Sequence, residues 1–87
     1  MELSIITPEQ TVFEGSAERV QLPGVSGKFE VLQDHAALIS ALVYGDVKVT
    51  SNGNVQLMQI TGGFVEVLNN NVTVLAEGIL EKDNKKK

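Results

Sequence analysis

Cysteine and tryptophan are absent from this chain, histidine occurs once, proline twice, and the aromatic residues number three Phe and one Tyr. Without cysteine there is no disulfide framework and no thiolate zinc site, and the omission suits a reducing compartment. One histidine without closely spaced carboxylates leaves too few ligands for a metal centre. Phe13, Phe29 and Phe64 fall in strand-like patterns and are expected in the core, which leaves no exposed aromatic platform for stacking sugars or gripping a peptide. Basic residues are also in short supply: 7 Lys and Arg stand against 11 Asp and Glu, for a net charge of −4. Such a balance lacks the cationic footprint that nucleic acid or anionic lipid requires, so proteins are the expected partners. No apolar run approaches the roughly 20 residues of a membrane-spanning helix. Met1-Glu2-Leu3-Ser4 lacks the basic, then hydrophobic, pattern of a secretory leader.

What is present is a single small domain. A chain of 87 residues buries only about 60% of its unfolded surface, so a small core must either suffice by itself or be helped by a larger partner. With 43% hydrophobic and 21% charged residues the balance is that of a folded protein and not of a disordered one.

The hydrophobic pattern has a period of two almost throughout. Leu3 to Ile6 opens as a strand that Thr7-Pro8-Glu9 stops, since proline fixes φ and removes a ladder donor. Gln10 to Glu14 and Ala17 to Leu22 follow around a turn at Gly15-Ser16, with Val20 and Leu22 facing inward. Beyond Pro23-Gly24 a loop to Gly27 leads to a half-buried strand through Phe29 and Val31. Ala36 to Val43 is apolar apart from Ser40; it reads as a strand because Gly45 ends it early, with one face packed inward and the other able to dock. Asn52-Gly53 suits a type I′ hairpin turn between Asp46–Thr50 and Val55–Thr61. Gly62-Gly63 marks a bulge or close strand approach, and a second hairpin turns over Asn69-Asn70-Asn71 into Val72–Glu77. The expectation is an all-β fold, a small two-layer sandwich or flattened barrel of about 8–10 short strands over residues 1–78. Residues 79–87 are expected to form a short, basic, unstructured tail.

Catalytic chemistry finds little to work with. Asp34 and His35 are adjacent, but neighbours on a strand point to opposite faces and make no dyad. Gly24-Val25-Ser26-Gly27 imitates part of a phosphate loop without the following helix or the Lys-Ser or Lys-Thr pair. Lys48 lies inside a strand and not at a hairpin tip, which sets the chain apart from lipoyl or biotin carrier domains. No cofactor is implied.

Three stretches in order carry a resemblance: Phe13-Glu14-Gly15; Leu22 to Leu42 with its Gly-x-x-Gly and His-Ala-x-Leu; and Gly62-Gly63-Phe64-Val65-Glu66-Val67 leading to Asn70-Asn71-Val72-Thr73-Val74-Leu75-Ala76. Together they make the chain similar to the epsilon subunits of F-type ATP synthases, over the N-terminal β-sandwich domain. The resemblance implies a non-catalytic rotor part on the central stalk, touching the gamma subunit on one side and the membrane ring of c subunits below. It places the ring contact on Ser26, Gly27 and Lys28 and the gamma contact near Thr7, His35 and Ser40. It further implies a peripheral position at the cytoplasmic face of the bacterial inner membrane, with membrane contact only through the complex. Ala37 replaces the family's usual proline, and the C-terminal helical hairpin that restrains hydrolysis in many members has no counterpart in these 87 residues, so inhibition by an extending helix is not carried over. A rotor part must transmit torque without deforming, which a close-packed sandwich suits, through two patches of about 1,200–2,000 Å² of total buried surface each.

Overall fold

Ten strands account for most of the chain in the computed structural model, which describes residues 1–80. They are β1 (Glu2–Ile6), β2 (Thr11–Ser16), β3 (Arg19–Gly24), β4 (Gly27–Leu32), β5 (Leu38–Leu42), β6 (Gly45–Ser51), β7 (Asn54–Ile60), β8 (Gly63–Leu68), β9 (Asn71–Ala76) and β10 (Ile79–Leu80). Hydrogen bonding runs β10-β7-β6-β3-β5-β8-β9-β1-β2, with β4 on the free side of β3. The sheet folds on itself into two layers, β4-β3-β6-β7-β10 and β5-β8-β9-β1-β2. The expected all-β sandwich is what forms.

One seam joins the layers where β3 changes partner. From Arg19 to Gln21, β3 pairs with β6, but at Gly24 it pairs with Leu42 of β5. Pro23 sits at the switch; it has no N–H to donate to β6, while its carbonyl accepts from the Val43 N–H at 2.9 Å. Gly45 is tied to the same crossing, because a Cβ there would stand 2.7 Å from that of Pro23. At the opposite end Met1, through its terminal ammonium, donates to the Ala17 carbonyl at 3.1 Å and to Gln33 Oε1 at 2.9 Å, fastening β1 beside the β2–β3 turn. β1 itself is inserted parallel to β9 and antiparallel to β2, so the two ends of the strand sequence lie side by side.

Alternation fills the space between the layers. Leu3, Ile5, Val20, Leu22, Val31, Val47, Ile60 and Val74 are wholly buried, each out of phase with an outward polar neighbour. Aliphatic β-branched side chains dominate because they pack well on a pleated surface. Phe13 and Phe29 are partly buried against this core. Val12 and Phe13 both reach it because the β1–β2 register shifts between Ile5 and Ile6, the signature of a bulge. Phe64 departs from expectation: it shares the parity of Glu66, points outward and is 56% exposed.

The turns follow backbone conformation closely. Asn52 (φ 53°) and Gly53 (φ 78°) take the left-handed pair that a type I′ turn demands. Their N–H groups donate to the Glu18 carboxylate, at 2.9 Å from Asn52 and 3.4 Å from Gly53. Asn69 and Asn70 adopt the same conformation without glycine (φ 51° and 64°), and Asn70 Oδ1 accepts from the Asp34 N–H at 2.8 Å. Gly63 is needed because its Cβ would collide with the Leu75 carbonyl, so the double glycine is a close strand approach. Two turns differ from expectation. β2 runs through Gly15-Ser16 and the chain reverses at Ala17-Glu18; β3 runs through Gly24 and reverses over Val25-Ser26 alone, because the Gly24↔Gly27 pair closes the β3–β4 hairpin. Ile79 and Leu80, expected in the tail, instead pair with Ile60 and Gln59; the rest of that tail lies outside the described residues.

Candidate functional site

The β3–β4 hairpin carries Ser26, Gly27 and Lys28 at its tip, all exposed. Gly24 lets the hairpin close this tightly, since a side chain there would meet the Phe29 ring and the Gly27 carbonyl at 2.8 Å. Lys28 makes no ion pair among the described residues, whereas Arg19 reaches Glu30 at 3.9 Å further along the same hairpin. The tip therefore presents an unpaired cation on a chain with net charge −4.

Thr7, His35 and Ser40 all belong to the β5-β8-β9-β1 layer or its connections, yet they do not converge. Thr7 follows Ile6, which pairs with Leu75 near one end of the layer. It is 5% exposed, and its hydroxyl donates to the Gln10 carbonyl at 3.1 Å and accepts from the Gln10 N–H at 3.2 Å. The side chain thus closes the turn around Pro8-Glu9. Ser40 lies at mid-layer, opposite buried Val65, on the core-facing side of β5. His35 sits at the far end, beside the Asn69-Asn70 turn that Asp34 caps. Its Nδ1 stands 2.8 Å from the Ala36 carbonyl oxygen. The imidazole's partner is thus the backbone at Ala36.

What the layer offers instead is a row that no motif announced. Ala41 of β5 pairs with Phe64 of β8, Phe64 with Leu75 of β9, and Leu75 with Ile6 of β1. All four lie on the outer face, with Ile39 beside them. Ile39 is 74% exposed and Leu75 54%. An apolar row across four strands of an outer face, with Phe64, Leu75 and neighbouring Ile39 as its large exposed members, has the character of an interaction surface. The next row, Ile39–Glu66–Thr73–Ser4–Glu14, borders the stripe with carboxylates. Parity was the usable signal: Phe64 is in phase with Glu66, and Leu75 with Thr73, so each sits on the polar side of its own strand.

Among the described residues no group of three or more His, Cys, Asp or Glu could hold a metal ion, and no helix is long and apolar enough to cross a membrane. The geometry is that of a surface for binding other proteins, with an apolar face on one layer and a cationic hairpin tip beside the seam.

Comparison with known proteins agrees with this class. The family described as the ATP synthase, Delta/Epsilon chain, beta-sandwich domain matches residues 1–82, and the chain belongs to that family. The ATP synthase epsilon chain of Desulfitobacterium hafniense is 44% identical over 75 residues, covering 86% of this chain and 57% of the relative. That of Koribacter versatilis is 40% identical over 76 residues, covering 87% and 54%. The chain thus spans a little over half the length of these relatives. In fold it is similar to a chain of the Tetrahymena thermophila mitochondrial ATP synthase central stalk and c-ring structure, with a TM-score of 0.83 at 18% identity over 93% of this chain and 66% of that one. A chain of the Euglena gracilis mitochondrial ATP synthase OSCP/F1/c-ring structure gives 0.85 at 18% identity, over 91% and 51%.

Proposed function

We propose that this chain is the sandwich of an epsilon subunit, a non-catalytic clamp on the central stalk that couples the gamma subunit to the c ring during proton-driven ATP synthesis. It works peripherally, at the cytoplasmic face of the bacterial inner membrane. The observation that carries the reading is the outer apolar row through Phe64 and Leu75, which gives an acidic domain one face suited to permanent burial. In this reading the gamma subunit covers that face, between the Thr7 turn at one end and His35 at the other, with Ser40 lying behind the row. The ring meets Ser26, Gly27 and Lys28. The names of the relatives and the stalk and c-ring assemblies that share the fold support this assignment.

Rigidity is the property the role demands. The two layers share one continuous core and are fastened at both ends, by the Gly24–Leu42 pairing and by the Met1 ammonium. A close-packed interior transmits load with little compression. The test is reconstitution of the full chain with gamma subunit and c ring: the chain should co-purify with both, and Phe64→Ser should release gamma without lowering the melting temperature. Wild-type chain that fails to bind gamma would overturn the proposal.

A further inference from the structure

The tip of the β6–β7 hairpin is held down by the neighbouring β2–β3 turn. Ser51 Oγ donates to the Ser16 carbonyl at 2.7 Å, and the Glu18 N–H donates to the Thr50 carbonyl at 2.8 Å. The Glu18 carboxylate accepts from both N–H groups of the turn, through Oε2 from Asn52 at 2.9 Å and through Oε1 from Gly53 at 3.4 Å. Asn52 and Gly53 are exposed, and nothing lies within 4 Å of where a Cβ on Gly53 would stand. Of the chain's asparagines, Asn52 alone precedes a glycine. That pair is chemically labile, because a following residue without a side chain lets its backbone nitrogen reach the asparagine carboxamide unhindered.

We propose that Asn52 is the chain's site of spontaneous deamidation and that Glu18 is the lock that slows it. In the reaction the Gly53 nitrogen loses its proton and bonds to Asn52 Cγ; Nδ2 takes up a proton and leaves as ammonia, and a cyclic imide remains. Water then adds to one of the two imide carbonyls and breaks that carbonyl's bond to nitrogen. The product is aspartate or isoaspartate, with no change of oxidation state. Closure requires the Gly53 N–H to turn away from its acceptor and towards the Asn52 side chain. The Glu18 carboxylate opposes this rotation twice, since it holds the N–H groups at both ends of residue 52, and hydrogen bonds to an ionised group are stronger than neutral ones. Modification therefore proceeds from the opened turn, whose population sets the rate. Its product fits the closed turn poorly. Either form sets a new carboxylate on residue 52 next to that of Glu18, and isoaspartate also adds a backbone atom to a two-residue loop that the Ser51↔Asn54 pair closes.

The experiment incubates the full chain in mildly alkaline buffer, well below the melting temperature of each variant, and follows peptide mass and isoaspartate at every asparagine. Modification should appear first at Asn52. Glu18→Ala should speed it by about fivefold, in proportion to the open-turn population that losing a charge-assisted hydrogen bond releases. Glu18→Gln, which keeps one acceptor, should fall between this variant and wild type. Ser51→Ala loosens the same tip without touching either turn N–H and should speed the reaction less than Glu18→Ala, so a general loosening of the fold is told apart from loss of the lock. If the first deamidation falls on another asparagine, the assigned site is wrong. An Asn52 rate unchanged in Glu18→Ala refutes the lock, and a slower one makes Glu18 the base that draws the proton from Gly53, the reverse of the role proposed.

Discussion

The two outer faces of the sandwich are built by the same alternation and differ in the rows that cross their middle strands. Across the β4-β3-β6-β7 layer one row reads Glu30–Gln21–Lys48–Leu57, polar until it reaches β7. Across the β5-β8-β9-β1 layer the corresponding row reads Ala41–Phe64–Leu75–Ile6, apolar through four strands. Both layers turn aliphatic side chains inward, so the interior does not tell them apart. The difference lies wholly in positions that folding leaves free, and such positions carry information about partners. Left bare, such a face is a solubility hazard, and the proposed gamma contact would cover it.

The largest expected effect tests what the faces share. Ile5→Ala empties a wholly buried site between the layers and should cost about 2–5 kcal/mol, read as a shift in urea midpoint. A loss well below this would mean that the layers are packed loosely and do not behave as one body. Next, the faces themselves are separated by paired substitutions. Phe64→Ser should weaken gamma binding by about thirtyfold, or ~2 kcal/mol, while changing stability little. Lys48→Ser, on the opposite face, should leave gamma binding within about twofold. Equal effects from the two would abolish the distinction between the faces.

Smaller effects sharpen the comparison at the hairpins. Gly53→Ala places a Cβ on a left-handed residue in the β6–β7 turn and should cost about 1–2 kcal/mol in thermal unfolding. Its counterpart in the other layer already tolerates Asn at both left-handed positions, so Asn70→Gly should change stability by less, through the turn alone, plus whatever the Asp34 hydrogen bond contributes. Smallest of all is the exposed Arg19–Glu30 pair at 3.9 Å; a double-mutant cycle should give about 0.2–1 kcal/mol, fading with added salt.

Much of this architecture is legible in the sequence. Strand after strand appeared in the period-two pattern, Asn52-Gly53 announced its turn type, and Gly62-Gly63 announced a close approach. The misreadings have physical causes. Gly15 lies inside β2, one residue short of its end, and the loop beyond Gly24 is two residues long because Gly24 and Gly27 pair, with Gly24 making room for the Phe29 ring. Phe64 was assigned to the core on hydrophobicity, although its parity with Glu66 pointed the other way. Glu18 belonged to no motif at all; it gains meaning only because the β3–β6 pairing brings it against Asn52 and Gly53.

Local sequence was therefore sufficient for the all-β class, the inward set of aliphatic residues and the family resemblance, since each depends on neighbours within a strand or a turn. The apolar row on the outer face and the clamp of Glu18 on the β6–β7 turn were decided by tertiary structure. Both depend on register between strands far apart in the chain: β1 lying parallel beside β9 brings Ile6 to Leu75, and β3 pairing with β6 sets Arg19 against Thr50 and so Glu18 against Asn52. A one-residue slip in either pairing would keep the same strands and dissolve the contact.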